Sequence, residues 1–195
     1  MCERLENRIA VVGPLLCAAM LVASACGPGA ETQPAAEAAA QSPDEGMTDL
    51  ERYHAIEEIK QLKARYFRHI DGKDWDSWQD VFAPDAELVV AFEGDGPGTP
   101  DNPVVGAAGI VAFVRPSIDA LVTVHHGHTP EIELTSPTTA RGVWAMEDLL
   151  SLPDGGGQVL QGWGHYHETY ERIDGQWRIK TLRLTRLRVD EGSST

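Results

Sequence analysis

Beyond Cys26 the chain has no cysteine: Cys2, Cys17 and Cys26 all fall in the first 26 of its 195 residues. That excludes a disulfide framework or a thiolate-ligated zinc from everything that follows. Positive charge is also scarce, with 16 lysines and arginines against 30 aspartates and glutamates and a formal net charge of −14. A surface of that sign disfavours nucleic acid and anionic membrane as partners and favours solubility. No internal repeat is present. Residues 9–25 form the one long apolar run before the tether, but the run is shorter than the roughly 20 residues a bilayer-spanning helix needs, and Pro14 interrupts it.

That run follows Arg4 and Arg8 and ends in Ala23, Ser24 and Ala25 just before Cys26. The arrangement resembles a bacterial lipoprotein signal. The resemblance implies that 1–25 is removed, that Cys26 becomes the lipidated first residue, and that the domain is exported and held on a membrane only through that lipid. Residues 26–46 are rich in Gly, Pro, Ala, Gln, Ser and Glu, without aromatics or apolar periodicity, as a flexible linker would be. The folded domain is expected over 47–190, with 191–195 a disordered tail.

With 42 % hydrophobic residues, the rest is sufficient for one domain with its own core. Thr48 with Glu51 has the spacing of a capping box, and Leu50, Tyr53, Ile56, Ile59, Leu62, Tyr66, Phe67 and Ile70 recur at helical intervals up to Gly72. Asp71 then stands in the last turn, where the helix dipole disfavours a carboxylate; it is either a solvated residue or a functional one. A short helix is expected over 74–82, stopped by Pro84, then a strand over 86–92, a Gly/Pro/Asp loop over 93–103, and a third helix over 106–121 disturbed at Pro116. Four strands follow at 121–134, 138–152, 158–173 and 176–189, joined by short turns that make consecutive strands antiparallel. This order predicts an α+β domain whose curved sheet wraps the helices and leaves a blind pocket.

The stretch Leu121 to Leu134 carries His125, His126 and His128 between two apolar runs, with Gly127 and Pro130 suggesting a bulge. Imidazole titrates near neutrality, so a histidine aimed into the pocket can move protons. Strict alternation puts His126 and His128 with Val122 and Val124 and His125 on the other face; a bulge at Gly127 leaves the choice open. Parity also places Asp148 beside Trp144, Met146 and Leu150, and Arg186 beside Leu182 and Leu184. A charge on an apolar face is costly unless paired, so these two are either site residues or a structural ion pair. A metal site would need His126, His128 and His165 or His167 to converge, and no strong ligand spacing completes one.

Tyr66-Phe67-Arg68 through Asp71-Gly72-Lys73, His125 with Gly127-His128-Thr129-Pro130-Glu131-Ile132, Trp144 with Glu147-Asp148, and Ile173-Asp174-Gly175-Gln176-Trp177 with Arg186 together resemble the SnoaL-like branch of the nuclear transport factor 2-like superfamily. Within it the similarity is nearest to bacterial bile-acid 7α-dehydratases and spans about 47–189. The resemblance implies a cone-shaped barrel, a mixed and largely antiparallel sheet around three helices. It also implies a pocket for a steroid-like or polyketide-like ring, lyase or isomerase chemistry without a cofactor, and pairing into a homodimer or homotrimer.

It further implies a site of Tyr66, Asp71, His125, Asp148 and Arg186, with no metal. In that reading His125 is the general base and Asp148 holds its tautomer. Tyr66 donates to a developing enolate or to the leaving hydroxyl, and Asp71 orients Tyr66 or the substrate. Arg186 binds an acidic substrate tail or pairs with a site carboxylate. The same superfamily contains plain binding modules, so a lipoprotein that only holds a small apolar ligand or a partner is the alternative.

Overall fold

The computed structural model describes residues 46–90 and 96–192. The expected signal, the expected lipidation site Cys26 and most of the expected linker lie outside the described residues.

Helix α1 (Asp49–Asp71) opens with the expected capping box: the Glu51 amide donates to Thr48 Oγ1 at 3.2 Å and the Thr48 amide to Glu51 Oε2 at 2.7 Å. Its buried stripe is Ala55, Ile59, Leu62, Lys63, Tyr66 and Ile70. Leu50 and Tyr53 are not part of it and are 64 % and 60 % exposed. Leu50 lies two and a half turns from Ile59, which turns it to the opposite side of the helix. Gly72 ends the helix with a helical φ of −76°, and the left-handed residue is Lys73, at φ 57°. A Cβ at 72 would stand 3.1 Å from the Arg68 carbonyl oxygen, a close approach that glycine avoids.

Helix α2 (Trp75–Gln79) is shorter than expected, because Phe82 already belongs to strand β1 (Phe82–Val89). Pro84 therefore lies inside a strand, within the gap between Phe82 and Glu87 where pairing to the neighbour is interrupted; proline has no N–H to offer a ladder. A two-residue strand β2 (Val104–Val105), not legible in the sequence, pairs antiparallel with β1 and leads into α3 (Ala107–Ile118). Strands β3 (Val122–Ser136), β4 (Thr139–Ser151), β5 (Gln158–Ile173) and β6 (Gln176–Glu191) then run as an antiparallel meander. Strand β6 extends through Glu191, one residue into the expected tail.

The sheet order is β2-β1-β6-β5-β4-β3, with β1 and β6 parallel. The fold is the expected nuclear transport factor 2-like α+β arrangement, but the sheet is not closed: β2 and β3 remain its two edges. At the β5–β6 turn Asp174 and Gly175 both take positive φ, 50° and 79°, as a type I′ hairpin turn requires. The bulge in β3 falls between His128 and Glu131, at Thr129 and Pro130, rather than at Gly127. Gly127 stays in register opposite Met146; a Cβ there would meet Phe67 Cζ at 2.6 Å. One sheet face and the helices enclose a core that includes Ile59, Leu62, Trp78, Ile110, Ile179 and Leu182.

Candidate active site

Because the β3 bulge lies after His128, alternation runs undisturbed through the histidines. Thr123 and His125 are buried, whereas Val122 and Val124 are 54 % and 41 % exposed and His126 and His128 point outward with them. His125 is thus the inward histidine. The His126 and His128 rings are 6.0 Å apart, and those of His165 and His167 6.1 Å, on the outer face. Among the described residues no group of three or more His, Cys, Asp or Glu side chains is placed to hold a metal.

The end of α1 brings Asp71 to His125. Asp71 Oδ1 lies 2.6 Å from His125 Nδ1, and Oδ2 accepts the His125 backbone N–H at 2.9 Å. Thr123 Oγ1 donates to Oδ1 at 2.9 Å, and Lys73 Nζ donates to Thr123 Oγ1 at 2.6 Å. Burial alone would raise the Asp71 carboxyl, but the hydrogen bonds and charge of His125 and the Thr123 hydroxyl outweigh it and hold it below the ordinary value. An ionised Asp71 can only accept, so in the neutral His125 ring the proton resides on Nδ1 and Nε2 is left with its lone pair. The backbone contact fixes carboxylate to strand, and the ring contact fixes tautomer and orientation.

Asp148 does not perform the role expected of it. It stands opposite His125 in the β3–β4 ladder, but its carboxylate is taken by Arg186, whose Nη1 and Nη2 donate at 2.7 and 2.6 Å. The reason is geometric: a fork-shaped guanidinium satisfies both carboxylate oxygens at once, which an imidazole cannot. Arg186 is thus paired with Asp148. Gly162, between them on β5, is part of this arrangement, since a Cβ there would collide with Arg186 Nη1 and Asp148 Oδ1.

Tyr66 is buried against Phe67, Trp78, Phe82 and Tyr166. Burial first, then the charges of Glu168 and Asp148, push its hydroxyl far above the ordinary range, so it remains a proton-bearing donor. Beneath it lies a group that sequence reasoning passed over. Lys63, wholly buried, is paired with Glu168 and sits 3.9 Å and 3.8 Å from the ring centres of Tyr66 and Tyr166. Glu168 also accepts from the Tyr170 hydroxyl at 2.5 Å, which accepts from Trp144 Nε1 at 2.8 Å. Burial draws the Lys63 ammonium below its ordinary value, against the opposing pull of Glu168. The signal was there: Lys63 is four residues after Ile59 and three before Tyr66, a lysine on an apolar stripe.

Beside the dyad lie the buried Lys63, Tyr66, Tyr166 and Tyr170 and the Asp148–Arg186 pair. A groove of about 960 Å³ opens at the end of the sheet, lined by Leu121, Leu150, Leu152, Val159, Leu160 and Glu191 among others. Leu150 pairs with Thr123 and Leu160, one inward step along the ladder from His125, Asp148 and Gly162. A groove lined by leucines together with polar groups therefore begins one ladder step from the pair and the dyad. A second hollow, about 640 Å³, lies on the outer sheet face around His167, Thr169 and Arg183, remote in register from the dyad.

The sequence profile of the SnoaL-like domain matches residues 51–183, which contain Tyr66, Asp71, His125 and Asp148 and stop just short of Arg186. The chain is 26 % identical over 140 residues to the probable cyclase FGR4 of Gibberella zeae, covering 66 % of this chain and 89 % of that protein. Among solved structures, a candidate scytalone dehydratase from Novosphingobium aromaticivorans superposes with a TM-score of 0.65 at 17 % identity, over 76 % of this chain and 94 % of that one. A hexachlorocyclohexane dehydrochlorinase, LinA-type3, from Novosphingobium barchaimii superposes with a TM-score of 0.62 at 22 % identity, over 74 % and 94 %. At these identities the structural likenesses establish the fold.

Proposed function

This chain belongs to the SnoaL-like family, and we propose that it is a cofactor-independent enzyme that abstracts a proton from a hydrophobic cyclic substrate, a dehydratase or isomerase. The observation that carries this reading is the Asp71–His125 pair, at 2.6 Å, its histidine buried and its aspartate partly so, with the imidazole Nε2 making no hydrogen bond among the described residues. The names of its relatives agree in kind, since loss of water and loss of hydrogen chloride are both eliminations.

The step balances without a redox partner. His125 Nε2 takes the proton from carbon; the C–H electron pair becomes the new double bond, and the β-hydroxyl leaves with the proton returned from the imidazolium, as water. Asp71 stabilises the imidazolium in between. Isomerisation follows the same first step, with the proton returned to a different carbon. The Arg186 Nε–H is buried and has no acceptor among the described residues, and Tyr66 can donate only while protonated. The groove's leucines, Leu121, Leu150, Leu152 and Leu160, offer apolar contact to such rings beside polar groups.

The test is turnover against hydroxylated and oxo-steroids and aromatic polyketides by wild type, His125→Gln and Asp71→Asn. The expected result is product from wild type and a loss of about 10²–10⁴ in kcat for each variant, with binding retained. Ligands that bind all three proteins and are converted by none would replace the enzyme with a carrier module. We also propose export and lipid anchoring through Cys26, supported by the leader's n-region, apolar core and small-residue end. Metabolic labelling with a fatty acid that survives Cys26→Ser would overturn it.

A further inference from the structure

We propose that Lys73 is a positioning residue that sets the basicity of the dyad, acting on His125 through Thr123 and Asp71. The inference rests on the dyad assignment made above, and on three observations about Lys73 itself. Its ammonium donates to Thr123 Oγ1 at 2.6 Å, and the same hydroxyl, thereby oriented, spends its one proton on Asp71 Oδ1 at 2.9 Å. A hydroxyl has a single hydrogen to give, so the lysine decides its direction: with Oγ1 accepting from Lys73, the proton must point at Asp71.

The second observation is the backbone. Lys73 holds φ 57°, a conformation disfavoured for any residue with a Cβ, while the adjacent Gly72, free to adopt it, is helical. A glycine at 73 would satisfy the turn without strain, so the lysine stands there at a cost in backbone energy. The third is the setting. Lys73 is half-buried between two carboxylates, Asp71 and Asp119; Asp119 is itself held by Trp75 Nε1 at 2.8 Å and by Arg115. Desolvation draws the ammonium below its ordinary value while both carboxylates pull it back.

The charged groups facing His125 are Asp71 from α1, Asp148 from β4 with its partner Arg186 from β6, and Lys73 behind Thr123. Since Asp148 and Arg186 offset each other, Lys73 is the cation that balances Asp71. It disfavours a second positive charge on the imidazole and prevents the carboxylate from making His125 too strong a base to release its proton.

The experiment needs no substrate: ¹⁵N NMR titration of the His125 imidazole in the ligand-free protein, for wild type, Lys73→Met, Lys73→Arg and Lys73→Gly. Removing the cation in Lys73→Met is expected to raise the pH at which His125 takes up its proton by about one unit, roughly tenfold in proton affinity. Lys73→Arg retains the charge and should stay within about 0.2 unit of wild type. Lys73→Gly should shift as Lys73→Met does while melting no lower than wild type, which separates the electrostatic effect from unfolding. A midpoint unmoved in both Lys73→Met and Lys73→Gly, or moved equally in Lys73→Arg, would overturn the proposal. If the protein instead proves to be a carrier, turnover fails while this titration still reports on Lys73, so the two failures are distinguishable.

Discussion

Asp148 stands directly across the ladder from His125, yet it is Asp71, 54 residues before the histidine, that holds the imidazole, while Asp148 gives both carboxylate oxygens to Arg186. Two carboxylates thus flank one histidine with different duties. Asp71 sets its proton; Asp148 fixes a guanidinium beside it.

That division makes the Asp148–Arg186 pair sensitive to half-removal. Its side chains are 6 % and 15 % exposed. Arg186→Met or Asp148→Asn should each lower stability by about 3–5 kcal/mol by leaving a buried group uncompensated. The double variant Arg186→Met with Asp148→Leu should recover most of that loss. Urea unfolding of the three variants checks it; equal losses in single and double variants would mean that the pair contributes by itself and not through its balance.

The Lys63–Glu168 pair is expected to behave in the same way more strongly, because both side chains are fully buried. Lys63→Met alone strands Glu168 among three tyrosine rings, whereas Lys63→Met with Glu168→Leu replaces charge by apolar volume. The double variant should melt well above the single one, read by thermal unfolding monitored by near-UV circular dichroism.

Asp71 couples stability to pH with a defined sign. Its folded-state affinity for protons is below that of the unfolded chain, whose ordinary value is 3.8. The stability it contributes is therefore fully present above the unfolded value and is lost as pH falls through the lower, folded one. Near pH 7, Asp71→Asn should cost about 1–3 kcal/mol, from hydrogen bonds to a charged group. The difference between wild type and variant should close as pH is taken below 3.8, measured by urea midpoints along a pH series.

Gly127→Ala tests the packing beside the site. The new Cβ would meet Phe67 Cζ at 2.6 Å, Phe67 Cε2 at 2.7 Å and Trp144 at 3.2 Å. Overpacking of that kind should destabilise by about 1–3 kcal/mol. Phe67→Leu in the same chain should restore part of it, since the clash is with a ring edge that leucine lacks. A melting temperature unchanged by Gly127→Ala would show that Phe67 moves aside freely.

Much of the fold was legible from end to end. The capping box at Thr48 and Glu51, the helical stripe from Ile59 to Ile70, the Asp174-Gly175 hairpin and the four long strands are local features, governed by spacing and by backbone preference within a few residues. Local rules failed where neighbours distant in sequence decided the outcome. Phe82 joined β1 because β6 offered a ladder to pair with, and β2 exists only by pairing with β1.

The candidate site divides along the same line. Alternation along the chain put Asp148 and Arg186 among apolar neighbours, because a strand's two faces are set by a period of two residues, but it left the inward histidine open until the β3 register placed the bulge after His128. Which carboxylate would hold which partner could not follow from any spacing. Asp71 reaches His125 because the last turn of α1 ends over the β3 edge, and Lys63 finds Glu168, 105 residues away, because helix and sheet close on each other. Pairings of that kind depend on distances of a few ångströms between elements remote in sequence, and only the packed tertiary structure decides them.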